Sequence, residues 1–192
     1  MPTLALEKPL TLYNVHSMDR STAQALLEQY VTQPSLLRHS QMVAQAMEAY
    51  AQKLGEDVEQ WYLAGLLHDL DWEMFPDEHP NKAVQDILPA LGIDQAIIEA
   101  IRAHAPGRTG KQPETLLEKY LFACDEISGF LDAVAKVRPD GFTGLEYSSV
   151  KKKLKNKSFA ANVSREDIDQ GTILIEVPIE EHVIFLAKVF SR

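Results

Sequence analysis

The chain has 192 residues, 45% of them hydrophobic and 24% charged, the make-up of an average globular protein able to bury a core without staples. Its 28 acidic residues against 19 Lys and Arg give a net charge of −9, which argues against a protein that coats duplex nucleic acid or an anionic membrane. The single cysteine, Cys124, excludes an intramolecular disulfide framework and a CxxC zinc site, and no apolar run approaches a transmembrane span.

Residues 1–20 show no helical period and read as an N-terminal arm, with Pro2, Pro9 and Asn14 favouring an extended lead-in. This start lacks a basic cluster and a long apolar stretch, so no secretory signal is expected and a reduced, cytoplasmic protein is the simplest reading. Residues 21–192 read as a single helical domain. Ser21 or Thr22 can cap a helix that ends before Pro34. The next runs from about Ser35 to Leu54, with Leu36, Val43, Ala46 and Tyr50 on one face, and Gly55 stops it. Asp57 caps a third helix that ends near Leu70. An acidic loop, DWEMFPDEH, follows at 71–79, and Pro80 opens a short helix to about Leu88. Asp94 caps a helix ending near His104, and the Gly- and Pro-rich stretch APGRTGKQP at 105–113 is a linker or site loop. A long helix covers about 113–137 and a shorter one about 145–155. Ser164 or Asp167 starts another turn. TILIEV at 172–177 has the composition of a strand, although no partner strand is visible. Pro178 opens a final amphipathic helix to about Phe190. The expected fold is all-α, a compact bundle of about eight helices.

Polar groups on the apolar stripes carry the most information. His39 lies in step with Leu36 and Val43. His68 follows Trp61, Ala64 and Gly65, and His104 follows Ile97, Ala100 and Ile101. Asp125 stands between Leu121 and Ser128. Four polar groups on four helices therefore point where the core residues point. Buried polar groups must be satisfied, and a metal ion would satisfy all four, since imidazole and carboxylate are usual ligands. Asp69 is adjacent to His68. Neighbours on a helix differ by about 100° in direction, so both reach one ion only near a helix end. His79 and His104 lie between this pair and Asp125. Cys124 reads as core and not as a nucleophile.

This ordered set resembles the HD superfamily of metal-dependent phosphohydrolases. The resemblance rests on His39 in LLRHSQMVAQA, on GLLHDLDWE at 65–73 and on Asp125 in FACDEISGF, and it covers roughly residues 20–137. It implies that His39, His68, Asp69 and Asp125 hold a divalent metal, and that His79 and His104 add a second, with Asp69 bridging. The cofactor is then one or two ions of Mn, Fe, Co, Ni, Zn or Mg. Cyclic-dinucleotide phosphodiesterases and a diadenosine-tetraphosphate hydrolase branch often carry Lys two or three residues after the pair. Asp71 and Trp72 stand there instead, which sets this chain apart from both. The stretch SSVKKKLKNKSFAANVSREDI is similar to a tail in uncharacterised members.

Around this set, Asp71 or Glu73 is a candidate general base beside a metal. Arg102, Arg108, Lys152 and Lys155 are candidate phosphate clamps, since an acidic pocket still needs cations to accept a polyanion. Trp72 and Phe75 could stack on a base. The leading expectation is a hydrolase that attacks a nucleotide or another small phosphate ester with a metal-activated water. A di-iron oxygenase of the inositol-oxygenase type needs the same ligands and is one alternative. A non-catalytic nucleotide-binding signalling module is another. The final helix, with Val183, Ile184, Phe185 and Val189, packs inward or forms a homodimer contact.

Overall fold

The computed structural model describes residues 18–192, so most of the expected N-terminal arm lies outside the described residues. Ten α-helices and one π-helical turn make up the architecture, with no strand among the described residues. No helix there is long and apolar enough to cross a membrane.

Helix α1, Arg20–Tyr30, is capped by Asp19, which accepts the Thr22 N–H at 2.7 Å. The cap lies earlier than Ser21 or Thr22 because Asp19 uses Ser21 as a further donor. Helix α2, Pro34–Leu54, carries Pro34 in its first turn and ends at Gly55, whose φ of 78° suits a residue without a Cβ. Asp57 caps α3, Val58–Leu67. Gly65 decides how these two helices meet: a Cβ there would stand 2.8 Å from the Ala44 Cα, so only glycine lets their backbones touch.

Turns follow α3 as far as Pro80. The expected helix at 80–88 is a π turn, Ala83–Ile87, that leads into the single-turn α4, Leu88–Ala90. Pro89 explains it: the proline has no N–H to give to Gln85, and the wider turn relieves its ring. Helix α5, Gln95–Ala103, is capped by Asp94. The 105–113 loop holds the one-turn α6, Pro106–Thr109. Helix α7, Leu116–Lys136, opens with a reciprocal capping box between Thr115 and Glu118. Then come α8, Tyr147–Lys155; α9, Arg165–Leu174, capped by Ser164; and α10, Ile179–Phe190.

The strand expected at 172–177 is absent. Helix α9 runs through Leu174, and Glu176, at a φ of 55°, closes the turn after it. Ile168, Gly171 and Ile175 are buried at helical spacing, and Gly171 rests against the Ala123 Cα of α7. Packing on α7 thus overrides β propensity, because a lone strand would leave its backbone unpaired.

Helix α7 is the central strut and packs on α2, α3, α5, α8, α9 and α10. One cluster of buried apolar side chains runs from Ala23 to Ala187, with Tyr50, Trp61 and Tyr120 stacked at tilted angles within it. Helix α10 packs inward through Val183 and Leu186, while Ile184 faces outward. Its His182 is buried: Nε2 donates to the Ala123 carbonyl at 3.0 Å and Nδ1 accepts from the Tyr50 hydroxyl at 2.6 Å.

Candidate metal centre

Five segments bring six side chains to one place. His39 sits in the second turn of α2. His68 is the C-cap of α3, and Asp69 follows it where the helix has already ended, so the adjacent pair can converge. His79 comes from the turns before the π turn, His104 is the C-cap of α5, and Asp125 lies mid-way along α7.

Three of the four imidazoles are aimed by their Nδ1 atoms. That of His68 donates to the Gly65 carbonyl at 2.8 Å, and that of His104 donates to the Ile101 carbonyl at 2.5 Å. Both acceptors are carbonyls freed at the end of the histidine's own helix. The Nδ1 of His79 donates to Asp71 Oδ1 at 2.7 Å, and the Ala83 N–H donates to Asp71 Oδ2 at 2.8 Å. A nitrogen that faces an acceptor-only oxygen carries the proton. In the neutral rings, Nε2 is then a bare lone pair.

Those three lone pairs, together with His39 Nε2, converge on Asp69. Its Oδ2 lies 3.4 Å from His68 Nε2 and 3.8 Å from His39 Nε2. Its Oδ1 lies 3.4 Å from His79 Nε2 and 3.7 Å from His104 Nε2. Asp125 Oδ1 closes the first group, 2.9 Å from His39 Nε2 and 3.4 Å from His68 Nε2. His39 and His68 bring their Nε2 atoms within 3.2 Å of each other. His39 Nε2 is close enough to Asp125 Oδ1 to donate to it, but the lone pairs of His68, His79 and His104 face carboxylate oxygens, and acceptors so placed repel unless positive charge lies between them. The donors fall into two groups of three, His39–His68–Asp69 and Asp69–His79–His104, that share one carboxylate. Imidazole and carboxylate suit a divalent transition metal, so this donor set fits one.

Electrostatics point the same way. Burial opposes charge on His68, but Asp69 and Asp125 outweigh it and hold the imidazole well above its usual range. Burial also opposes charge on Asp69, and the surrounding histidines, His68 first, hold that carboxyl well below its usual range. The same balance, with His68 and His39, lowers Asp125. The cluster is thus built to be anionic at its carboxylates and to bind cations, whether protons or metal.

The cluster opens into a cavity of about 460 Å3. Arg108 and Trp72 stand at its wall, with the guanidinium 5.3 Å over the indole ring. Arg108 Nη1 donates to the carbonyls of Pro76 at 2.7 Å and His79 at 3.2 Å, which fixes it beside the cluster. Phe122, Glu126, Asn162 and Asp167 line other parts of the wall.

Several expected residues sit elsewhere. Asp71, a candidate base, is fully buried with both oxygens committed, and it orients His79 instead. Glu73 accepts from Thr32 and Gln33 at the entry to α2, which lowers its carboxyl, and it does not line the cavity. Arg102 pairs with Glu99 at 3.6 Å and is also absent from the wall. Phe75 lies beneath Lys82, with the ammonium 5.5 Å from its ring centre. Lys152 is exposed and lines neither this cavity nor the one that Lys155 helps to line. Cys124 is buried, and burial pushes its thiol up, as suits a core residue.

Glu126 was not legible from sequence. Burial, with the Asp125 carboxylate beside it, pushes its carboxyl up to about 7, while Oε2 accepts the Ser164 N–H at 3.0 Å. Its position next to Asp125 is the only signal in the sequence. The rest depends on where α9 packs.

No match was found among curated proteins or among solved structures. Residues 36–129 match the HD domain family. That span holds all six converging side chains, from His39 to Asp125, in the order the resemblance requires, and this stretch of the chain is an HD domain.

Proposed function

We propose that this chain is a metal-dependent phosphohydrolase acting on a nucleotide or another small phosphate ester. The observation that carries the proposal is Asp69, whose two oxygens each face a separate pair of imidazoles. HD domains bind divalent metals and are typically phosphohydrolases. His39, His68, Asp69 and Asp125 would hold one ion, and His79 and His104 would hold a second that shares Asp69. Such ions make water acidic enough to serve as a nucleophile near neutral pH and polarise phosphoryl oxygens.

The chain's own residues supply the remainder. Arg108, held by two backbone carbonyls, offers its remaining N–H groups to a phosphate. Trp72 presents an aromatic face beside it, suited to an organic body such as a base. Asp71 keeps His79 in one tautomer and one orientation. The cavity of about 460 Å3 has the size of a small-molecule site.

The test is elemental analysis of protein purified without added metal or chelator, followed by phosphate release from a nucleotide and phosphate-ester panel. Asp69→Ala is the control. Transition metal bound to the native chain, metal-dependent release, and loss of both in the variant are expected. Turnover that survives both chelation and Asp69→Ala would sink the proposal. Iron accompanied by oxygen uptake without phosphate release would favour the oxygenase alternative instead.

A further inference from the structure

Lys155, expected to clamp a phosphate over the metal cavity, helps to line a different cavity of about 560 Å3, where α8, α9 and the start of α10 meet. Four cations line it: Lys151, Lys155, Lys157 and Arg165. Asp169 is the one carboxylate there. In a chain of net charge −9 this is a marked local reversal of sign. The lysines make no ion pair among the described residues.

The cavity also has an apolar side. Tyr147, Lys151 and Lys155 stand four residues apart in one row along α8, so an aromatic ring and two ammonium groups share a face. The Lys151 Nζ lies 5.7 Å from the centre of the Tyr147 ring. Leu154 and Ile179 add aliphatic surface. The floor is fixed by Arg165. Its guanidinium donates to the carbonyls of Phe159, Ala160 and Val163, and it lies 4.7 Å over the Phe130 ring. These bonds hold the turn at Ala160, whose φ of 45° is left-handed. The turn that bounds the cavity is therefore fixed, and none of its three lysines is paired with a carboxylate among the described residues.

We propose that this cavity is a binding site for a small phosphorylated anion with an aromatic or apolar body, separate from the metal centre. The lysines take the phosphates as point charges, and Tyr147, Leu154 and Ile179 take the body. Val163 lines both cavities, so a ligand here touches the segment that also walls the metal cavity. The site does not depend on the metal reading, because it shares no metal-ligating residue with that cluster.

The probe is ADP, titrated by calorimetry into the full chain after chelation, at low salt, with pyrophosphate and a polyglutamate peptide as comparisons. ADP should bind, more weakly as salt rises. Lys151→Glu with Lys155→Glu should weaken it by about tenfold or more, since two attractions become repulsions. Lys188→Glu, an exposed change on α10, should leave it unaltered. Lys151→Gln with Lys155→Gln tests the same point should the charge reversal disturb folding. Undiminished ADP binding in both double variants would overturn the proposal. So would loss of binding in Arg108→Gln, which would place the ligand in the metal cavity. Pyrophosphate binding as tight as that of ADP would overturn the apolar half. Capture of the peptide but not of ADP would assign the surface to an acidic protein segment instead.

Discussion

Gly65→Ala and Gly129→Ala are the same substitution in two helices, and the structure gives them opposite signs. In a helix interior, alanine is favoured over glycine by about 0.8–1 kcal/mol. At Gly129 in α7 the new Cβ would stand 3.7 Å from His39 Nδ1, an ordinary contact, so that gain should appear nearly whole. At Gly65 the Cβ would meet the Ala44 Cα at 2.8 Å, the Ala44 nitrogen at 2.9 Å and the Val43 carbonyl carbon at 2.9 Å. All three are backbone atoms that cannot rotate away. Helix α3 must back off by about 0.6 Å to restore normal contact, across the face that α2 buries. Overpacking of this kind costs about 1–3 kcal/mol, and the absence of any yielding side chain places it near the top of that range. The net expectation for Gly65→Ala is a loss of about 2 kcal/mol, or a melting temperature lower by about 4–8 °C in a chain of this size. Because α2 carries His39 and α3 ends at His68, the same displacement should widen their 3.2 Å approach and weaken metal binding. Calorimetric melting of both variants, with metal titration, is the assay. A Gly65→Ala protein as stable as Gly129→Ala would refute the close-contact reasoning.

Three further outcomes are expected. Asp71→Ala removes the acceptor for His79 Nδ1 and leaves the Ala83 N–H unpaired, so metal affinity should fall about 10–100-fold while helicity persists; an unchanged metal titration would count against it. Burial holds His182 down at about 4, below its ordinary value of 6.5, so the native state resists a proton that the unfolded chain accepts. Stability contributed by neutral His182 is therefore complete above pH 6.5 and is lost as pH falls from there towards 4, by about 3 kcal/mol in all. Urea unfolding across that window should show a shallower slope in His182→Phe, whatever its absolute stability, and an identical slope would contradict the assignment. Glu73→Gln should leave metal content and metal affinity at native values, since its carboxylate serves Thr32 and Gln33; loss of metal would return Glu73 to the site.

The metal cluster was legible because it breaks a rule of the sequence. Histidines and a carboxylate in step with apolar stripes demand a compensating partner, and helical periodicity alone shows which way each points. The loop carboxylates were not legible in that way. Asp71 and Glu73 are two residues apart in one acidic run, yet one orients His79 and the other ties down the entry to α2. No period governs a turn, so direction there depends on what packs around it. TILIEV failed for a related reason: the β-branched composition is local, whereas Gly171 against Ala123 is a contact between distant segments.

Local pattern along the chain was enough for the helical class, the termini set by Asp57, Asp94 and Gly55, and the inward direction of His39, His68, His104 and Asp125. Each of these follows from spacing along one helix or from chemistry within one turn. Packing between helices set the rest: Asp69 divides its oxygens between two histidine pairs, Arg108 rather than Arg102 lines the cavity, and Lys155 lines another. Those outcomes depend on the distance and angle between helices, which are set by contacts such as Gly65 on Ala44 that no local pattern encodes.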